Sequence, residues 1–352
     1  MKSIQAASYF VHFQENGYEK LTTLIKEKAY SSIFILVDEH TMEFCYPKFI
    51  SNLETTAPIE VIEIESGEIH KNMETCFGIW QAMTDLNADR RSLMITLGGG
   101  VITDMGGFVA ATYKRGIDFV NIPTTLLSMV DASVGGKTGV DLGILKNQIG
   151  LFANPEMVLV DTDYLDTVIP REIRSGTAEI IKYGLTYDVN LYHQIKDSKN
   201  LNIVDLIHRS IEIKNEVVLE DPKEKHLRKI LNFGHTIGHA VESYFLESEH
   251  KENLTHGEAI AIGMVAESYI SSKLFDFPQE DLNELKEVIV TLYGKTVILE
   301  EDFEAIFEYL KHDKKNVGGQ VNFVLLNSLE ETKIDCKVSN DLIIESLVYY
   351  NS

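Results

Sequence analysis

The chain has 352 residues and a mass of 39.7 kDa, which is more than one compact core usually holds, so we expect two domains. With 44% hydrophobic and 24% charged residues, its composition excludes a disordered or fibrous protein. The formal charge of −22 argues against a nucleic-acid binder or a polybasic membrane-surface protein, because both need a positive field.

Cysteine usage and hydropathy indicate the compartment. The three cysteines form no CxxC pair, so neither a disulfide scaffold nor a thiolate zinc site is expected. The N-terminus lacks the apolar region of a signal peptide, and no apolar run approaches the ~18 residues of a membrane span. We therefore expect a cytoplasmic protein that binds neither membrane nor nucleic acid.

The first half of the chain alternates short β-rich runs with helix-like stretches. Residues 1–13 alternate like a strand, and stretches such as 42–54 and 72–87 have helical character. This alternation predicts a parallel sheet covered on both sides, in a Rossmann-like α/β domain over residues 1–169. The β-rich runs are residues 32–40, 59–66, 92–100, 118–125 and 157–164.

From Pro170 onward the apolar spacing changes to three and four residues, which is typical of helices. The late strand signals are residues 320–326 and 332–338. We therefore predict a mostly α-helical second domain over residues 170–352. Its clearest helical stretches are residues 171–185, 202–220, 259–275 and 281–293.

A triglycine turn follows the third β-rich run. Gly98, Gly99 and Gly100 let the backbone turn tightly before a helix that is predicted to start near Val101. Exposed amides at a helix N-terminus favour a pyrophosphate, although a purely structural turn explains the glycines equally well. The pattern is not GxGxxG, and the acidic residue for a ribose, Asp38, precedes the glycines, so an ordinary Rossmann dehydrogenase is a poor match.

Three histidines lie within a short stretch of the second half. His235 and His239 stand at i,i+4, and His256 follows. A lone buried histidine is usually a hydrogen-bonded core residue, but three of them with Glu179 and Glu258 available favour a zinc site.

Spacing alone does not fix the ligands of that site. It nominates His235 and His239 together with Glu242, yet Gly234 and Gly238 weaken the helix prediction there. The ligand set therefore stays open at this point.

Charged residues also recur among glycines and on one apolar helix. Residues 130–150 are predicted as a loop rich in hydrogen-bond donors, including two lysines. Glu179 and Lys182 stand at i,i+3 on an otherwise apolar helical face, where an unpaired charge would be costly. Metal binding and charge pairing would both explain them.

Several motifs occur together and in order along nearly the whole chain. They are GGGVITDMGGFVAATYKRG, VDASVGGKTG followed by KNQIG, SGTAEIIKYG, and LRKILNFGHTIGHAVE followed by HGEA. This set resembles the 3-dehydroquinate synthase family of the sugar-phosphate cyclase superfamily. The resemblance implies an NAD-binding α/β domain joined to a helical metal-binding domain. It also implies conversion of 3-deoxy-D-arabino-heptulosonate 7-phosphate to 3-dehydroquinate and phosphate.

The resemblance also implies a role for individual residues. It places a divalent metal, zinc or alternatively cobalt, on Glu179, His235 and His256, and makes His239 a substrate-side group. Arg115 would reach the phosphate pocket of a neighbouring subunit, so a homodimer is implied. The substrate residues would be Asp131, Lys137, Asn147, Lys182, Lys214, Arg228, Asn232 and either Lys314 or Lys315. The residues on the NAD side would be Asp38, Glu68, Lys71, Gly99, Gly100, Asp104, Thr124, Thr125, Lys146 and Thr167.

The chain departs from the family pattern at a few points. Thr103 stands where glycine is common, Asp141 stands where asparagine is common, and the segment 243–255 is longer than usual. Another sugar-phosphate cyclase and a metal-dependent polyol dehydrogenase are the alternative functions, and a non-enzymatic sugar-phosphate sensor is a third. A dehydrogenase needs no cluster of anion-binding residues, and a sensor needs no open metal site.

Overall fold

The computed structural model describes residues 1–197, 201–311 and 321–352. The chain divides into two compact units. The first comprises residues 1–143, 147–173 and 207–219, and the second comprises residues 144–146, 174–206 and 220–352.

The predicted β-rich and helical runs fall on strands and helices of the structure, and further elements lie between them. The strands are β1 (Ile4–Gln5), β2 (Phe10–Phe13), β3 (Ile33–Asp38), β4 (Ile59–Ile64), β5 (Leu93–Gly98), β6 (Asp118–Pro123), β7 (Lys137–Leu142), β8 (Leu145–Phe152), β9 (Met157–Val160), β10 (Phe323–Ser328) and β11 (Glu331–Cys336). The helices are α1 (Gln14–Lys28), α2 (Glu39–Phe44), α3 (Tyr46–Asn52), α4 (Met73–Asp85), α5 (Gly100–Thr112), α6 (Pro170–Thr186), α7 (Val189–Lys196), α8 (Ile203–Glu220), α9 (His235–Glu247), α10 (His256–Leu274), α11 (Gln279–Tyr293), α12 (Phe303–Lys311) and α13 (Asn340–Asn351).

A largely parallel sheet forms the centre of the first unit. Within the described residues it has seven strands in the order β1-β2-β9-β6-β5-β3-β4. The β1–β2 pair is antiparallel and the other neighbours are parallel. Phe34 and Leu36 of β3 and Met94 of β5 pack with Ile102 and Val109 of α5 in one buried cluster. Because both faces of these strands are covered, they read as continuous apolar runs in the sequence.

The segment predicted as a donor-rich loop is instead a two-stranded hairpin of β7 and β8. Its glycines favoured a loop by composition, but they let the two strands approach closely. A Cβ on Gly139 would lie 2.5 Å from the carbonyl oxygen of Ile149, and a Cβ on Gly150 would lie 2.4 Å from that of Thr138. Gly143 makes the turn with a φ of 60°.

The second unit is mostly helical, and β10 and β11 pair in an antiparallel hairpin. Helix α10 is buried along most of its length, as expected for a helix that is apolar on all sides. Helix α9 forms although two glycines weakened its prediction, and it begins directly after Gly234, whose φ is 77°. Among the described residues, no helix has the length and apolar character that crossing a lipid bilayer demands.

Candidate functional site

In the first unit, polar residues predicted for the dinucleotide meet at the carboxyl edge of the sheet. Asp38 ends β3, Gly98 ends β5, and Thr124 follows β6 and donates its amide to the carbonyl of Gly98 at 3.0 Å. From β3 the chain goes outward to β4 and then returns to β5 on the other side of β3. Ligands of open α/β sheets bind outside the carboxyl ends of the strands at such a switch point. This edge is therefore the candidate dinucleotide site.

Close packing, and not left-handed backbone, explains the triglycine turn. The φ of Gly99 is −73°, and neither Gly98 nor Gly100 lies in the left-handed region. A Cβ on Gly99 would lie 3.2 Å from Cγ2 of Thr125, and one on Gly98 would lie 2.6 Å from Cβ of Ile102. The first amides of α5 have no intrahelical acceptor, so this helix start is suited to an anion.

A buried ion pair lies among the predicted NAD residues. The Lys71 ammonium donates to Oδ2 of Asp104 at 2.7 Å and to Oδ1 of Asn147 at 2.8 Å. Oε1 of Glu68 lies 3.9 Å from the same ammonium nitrogen. Burial opposes the charge of Lys71, but Asp104 and Glu68 raise the pKa of its ammonium above the ordinary value. Because Lys71 neutralises Asp104, the negative charge that this carboxylate presents to a phosphate is reduced.

Other predicted NAD residues also make hydrogen bonds within the first unit. Asp38 caps α2 by accepting the amide of Thr41 at 2.7 Å. The hydroxyls of Thr125 and Ser128 lie 3.0 Å apart, and Thr167 donates to a backbone carbonyl at 2.7 Å. These bonds hold the side chains in place at the ends of the strands.

Two predicted substrate residues of the first unit, Asp131 and Lys214, form a second charged pair. The Lys214 ammonium lies 2.5 Å from the carbonyl oxygen of Asp131 and 2.9 Å from its Oδ1. Lys137 opens β7 and is half-buried. Asn147 has a φ of 51°, and its backbone N–H donates to Oδ1 of Asp141 at 2.6 Å. Asp141, the departure from the family pattern, thus fixes the backbone of Asn147.

In the second unit, a short 3-10 turn carries Arg228 and Asn232. Asp221 accepts the amide of Arg228 at 3.2 Å, and the Arg228 guanidinium donates to a backbone carbonyl at 2.8 Å. The amide group of Asn232 donates to Oε1 of Glu224 at 2.5 Å. Asp221 was not predicted from the sequence, because an acidic residue a few positions before Arg228 forms no recognisable motif with it.

Three helices of the second unit bring the predicted metal residues together. Helix α6 carries Glu179 and Lys182, α9 carries His235 and His239, and α10 starts at His256. Oε1 of Glu179 lies 3.4 Å from Nε2 of His235 and 3.4 Å from Nε2 of His256. The three imidazoles also offer nitrogens that all lie within 4.8 Å of one another. The site therefore contains a carboxylate with two imidazoles, and a third imidazole beside them.

Hydrogen bonds show which imidazole nitrogens carry protons. Nδ1 of His235 lies 3.0 Å from the carbonyl oxygen of Phe233, and Nδ1 of His256 lies 3.0 Å from Oε2 of Glu242. Both oxygens only accept, so each Nδ1 donates and each neutral imidazole has its lone pair on Nε2. These lone pairs face Oε1 of Glu179, which is buried and accepts no hydrogen bond from any described residue. Three converging acceptors favour a shared cation.

This donor set fits zinc. Zinc binds imidazole nitrogen and carboxylate oxygen at about 2.0–2.2 Å in a tetrahedron, which places neighbouring donors about 3.3–3.5 Å apart. The two distances of 3.4 Å from Glu179 to His235 and His256 fall in that range. Three protein ligands would leave a coordination position open for a substrate oxygen.

The surroundings shift the titration of these groups. Burial and the nearby Lys182 lower the pKa of His235 to about 4. Burial would also lower the pKa of His256, but Glu242 and Glu179 raise it to about 10. Although Glu179 is buried, Lys182, which contacts its Oε2, and the imidazoles hold its pKa well below the usual range. The site is thus built to hold a positive charge, which a proton or a metal ion can supply.

Glu242, nominated as a ligand by spacing, lies behind His256. Its Oε2 accepts from Nδ1 of His256, and its Oε1 lies 3.0 Å from the ammonium of Lys146. Burial would raise the pKa of Glu242, but Lys146 and His256 hold it well below the usual range. Carboxylates in this position orient metal-binding imidazoles. Lys146, predicted on the NAD side, is thus paired within the second unit.

The remaining candidates are a helix-capping acid, an exposed arginine of the first unit and two lysines outside the described residues. Glu258, the other acid near the histidines, accepts the amide of Thr255 at 2.8 Å and completes the capping box of α10. Arg115 is exposed and has a φ of 76°. Lys314 and Lys315 lie outside the described residues.

Comparison with known sequences matches successive parts of the chain to one family. The family model described as 3-dehydroquinate synthase N-terminal matches residues 61–175, and the one described as 3-dehydroquinate synthase C-terminal matches residues 176–316. The chain is 41% identical to the 3-dehydroquinate synthase of Parabacteroides distasonis, over 94% of each chain. It is 40% identical to that of Thermoanaerobacter pseudethanolicus, again over 94% of each chain.

Solved structures share the whole architecture. A 2-deoxy-scyllo-inosose synthase complexed with carbaglucose-6-phosphate, NAD+ and Co2+ is 25% identical, with a TM-score of 0.83 over 98% of this chain and 99% of that one. A 2-epi-5-epi-valiolone synthase from Streptomyces hygroscopicus with NAD+ and Zn2+ bound is 25% identical, with a TM-score of 0.85 over 99% and 98%. A probable glycerol dehydrogenase from Sinorhizobium meliloti, at 11% identity and a TM-score of 0.65, shares the fold over 100% and 98%.

The α/β unit with its parallel sheet and the helical unit with its histidine and carboxylate cluster define the class of dehydroquinate synthase-like sugar cyclases. The predicted fold class is thereby confirmed. Within this class, the chain belongs to the 3-dehydroquinate synthase family, as the motifs indicated.

Proposed function

We propose that this chain converts 3-deoxy-D-arabino-heptulosonate 7-phosphate to 3-dehydroquinate and phosphate, the second step of the shikimate pathway. Relatives named 3-dehydroquinate synthase, 34–41% identical over at least 94% of the chain, support the proposal. The observation that carries it is the convergence of Glu179, His235 and His256 in a chain of this family. Phosphate leaves by carbon–oxygen cleavage, so the enzyme would be a lyase.

We propose Glu179, His235 and His256 as the ligands of one divalent ion, zinc or alternatively cobalt. Structural neighbours contain Zn2+ or Co2+, which supports a metal of this kind. The ion would act as a Lewis acid that lowers the pKa of the substrate C5 hydroxyl. Lys182 holds Oε2 of Glu179, and His239, one helical turn beyond His235, is proposed as a substrate-side group.

The carboxyl edge of the sheet is proposed to bind NAD+. The same neighbours contain NAD+, and the close packing at Gly99 and the free amides of α5 suit a pyrophosphate. The dinucleotide would accept a hydride from C5 and return it later in the same cycle. The residues proposed for this side are Asp38, Glu68, Lys71, Gly99, Gly100, Asp104, Thr124, Thr125, Lys146 and Thr167.

Basic residues are proposed to hold the two anionic ends of the substrate. A protein with a net charge of −22 binds a phosphate and a carboxylate only through local positive clusters. Once C5 is a ketone, the C6 proton becomes acidic and its loss expels phosphate, with the departing phosphate as base. Ring opening and an intramolecular aldol closure then need little more than a held conformer. The residues proposed for the substrate are Asp131, Lys137, Asn147, Lys182, Lys214, Arg228, Asn232 and either Lys314 or Lys315.

Further proposals concern organisation. We retain residues 1–169 as the NAD-binding domain and residues 170–352 as the metal- and substrate-binding domain. A cytoplasmic homodimer in which Arg115 reaches the partner's phosphate pocket also remains a proposal, and the exposure of Arg115 is compatible with it.

The test is direct turnover. The purified chain is incubated with heptulosonate phosphate, catalytic NAD+ and Zn2+, and phosphate and dehydroquinate are both measured. We expect equal amounts of the two products and no net NADH. Phosphate without the cyclic product would point to a different enzyme, and net NADH with a simple polyol would support a dehydrogenase.

Adjacent basic residues supply a matched pair of variants. Arg228→Met removes a proposed anion contact and should lower kcat/KM about 10- to 100-fold, the value of a hydrogen bond to a charged group. Lys229→Met removes a neighbouring cation whose ammonium pairs with Asp335 at 2.7 Å, and it should leave kcat/KM nearly unchanged. Equal losses in both variants would count against the assignment of Arg228.

A further inference from the structure

A buried glutamate lies in the middle of α10 and belongs to none of the proposed ligand sets. Glu267 is 0% exposed, and it is the only charged residue between Glu258 and Lys273 in this apolar stretch. A buried carboxylate is costly unless it is well hydrogen-bonded, so its partners show what it does.

The carboxylate of Glu267 accepts three backbone amides at the start of α9. Its Oε2 accepts from the amide of Gly234 at 2.7 Å, and its Oε1 accepts from those of Thr236 and Ile237 at 3.0 Å each. His235 lies between these bonded amides, so the backbone on both sides of this imidazole is fixed by one side chain.

Helix α9 depends on this remote cap. The residue before a helix usually accepts one of the free first-turn amides through its own side chain. Here that residue is Gly234, which has no side chain and a left-handed φ of 77°. Glu267 supplies the missing acceptor from a different helix, and its negative charge suits the positive end of the helix dipole.

Glycines let α9 and α10 approach closely at the same place. A Cβ on Gly263, one turn before Glu267, would lie 1.9 Å from the carbonyl oxygen of Gly234 and 2.7 Å from the amide nitrogen of Gly238. A Cβ on Gly238 would lie 2.8 Å from Cδ1 of Ile260. The hydrogen bonds of the carboxylate and the close packing at the glycines thus fix the two helices against each other.

We infer that Glu267 is a positioning residue that sets the place of His235 relative to His256. His256 is the first residue of α10, and Glu267 lies on the same helix and holds the first turn of α9. A shift of the start of α9 would move Nε2 of His235 away from Oε1 of Glu179, to which it now lies at 3.4 Å. The inference rests on the proposed ligand set Glu179, His235 and His256.

The test measures Co2+ binding to the metal-free full chain and the visible spectrum of the Co2+ form. Glu267→Gln keeps the shape of the side chain but turns an NH2 group toward amides that need an acceptor. We expect Co2+ affinity to fall about 10- to 100-fold, as for other residues that orient metal ligands, with an altered Co2+ spectrum. Ser271→Ala is the matched control, because it removes a buried hydroxyl one turn further along α10. It should bind Co2+ like the unaltered chain.

Each outcome decides a separate claim. If the unaltered chain does not bind Co2+, the proposed metal site fails. If it binds but Glu267→Gln binds equally well with the same spectrum, the positioning role is overturned. Glu267→Asp, which shortens the carboxylate by one methylene, replaces Glu267→Gln if that variant does not fold, and at least tenfold weaker binding is expected. If neither variant folds while Ser271→Ala does, Glu267 serves folding in general and the inference is wrong.

Discussion

Two of the buried charged centres in the described part of the chain are built on different principles. In the first unit, the cation of Lys71 contacts Oδ2 of Asp104 at 2.7 Å, so opposite charges satisfy each other within the protein. In the second unit, Nε2 of His235 and Nε2 of His256 converge on Oε1 of Glu179, where a proton or a metal ion has to supply the positive charge.

This difference separates a site that is complete by itself from one that needs a ligand. An ion pair of the first kind contributes to stability and shapes a surface, and removing one partner leaves a buried charge. Converging acceptors of the second kind are repulsive until a proton or a metal ion joins them, so their arrangement is suited to binding a cation. Perturbed groups of this second kind are therefore the better indicators of function.

The largest expected effect comes from Glu179→Gln. This change removes the anionic oxygen on which the two imidazoles converge, so metal affinity should fall at least about a thousandfold, more than for a residue that only orients a ligand. Titration with Co2+ measures it. Glu258→Gln is the control, because glutamine can keep the capping box of α10, and its affinity should stay within about twofold. Equal losses in both variants would mean that Glu179 is not a ligand.

The next effect tests the pairing in the first unit. Lys71→Met leaves Asp104 without its cation in a mostly buried setting, so the free energy of unfolding should fall by about 3 kcal/mol. Denaturant unfolding of the metal-free chain measures it. The double variant Lys71→Met with Asp104→Asn should recover part of the loss. If the double variant is as unstable as the single one, the pair does not act as a unit.

A smaller effect concerns Asp302, which anchors the longer segment 243–255. Its carboxylate accepts from Lys251 at 2.6 Å and from Tyr244 at 2.5 Å. Burial would raise the pKa of Asp302, but these bonds and the amide of Leu299 hold it below the usual value. Because the folded pKa lies below the unfolded one, the stabilisation is present above about pH 4 and is lost as the pH falls further.

Asp302→Asn should therefore lower stability by about 2 kcal/mol at pH 7 and by less at pH 3. Thermal unfolding of both chains across this pH range measures the difference. Asp335→Asn breaks the exposed pair with Lys229 and should change stability by less than about 1 kcal/mol. A loss for Asp302→Asn that does not depend on pH would contradict the charged role of Asp302.

Most of the fold could be predicted from the sequence because buried strands and helices have a local pattern of apolar residues. The strand Ile33–Asp38 is a run of apolar residues, and α6 and α11 show helical spacing. The hairpin of β7 and β8 was wrongly predicted as a loop, because glycines that permit close strands look the same in sequence as glycines in a loop. Likewise, the glycines of α9 serve a close helix approach that only the fold reveals.

The site was predictable in part, since the histidines and their acids have distinctive spacing and motifs. The position of Glu242 behind His256 was not, because residues on two helices meet only in the folded unit. Glu267 left one trace, a single charge in an apolar helical stretch, but its partners are backbone amides, which carry no sequence signal.

The most direct test of the proposed metal site is a crystal structure of the Zn2+-loaded chain with anomalous scattering recorded at the zinc edge. We predict one strong peak bonded to Oε1 of Glu179 and to Nε2 of His235 and His256, with His239 outside the bonding distance. A peak held by the three imidazoles without Glu179, or a peak elsewhere in the chain, would contradict it.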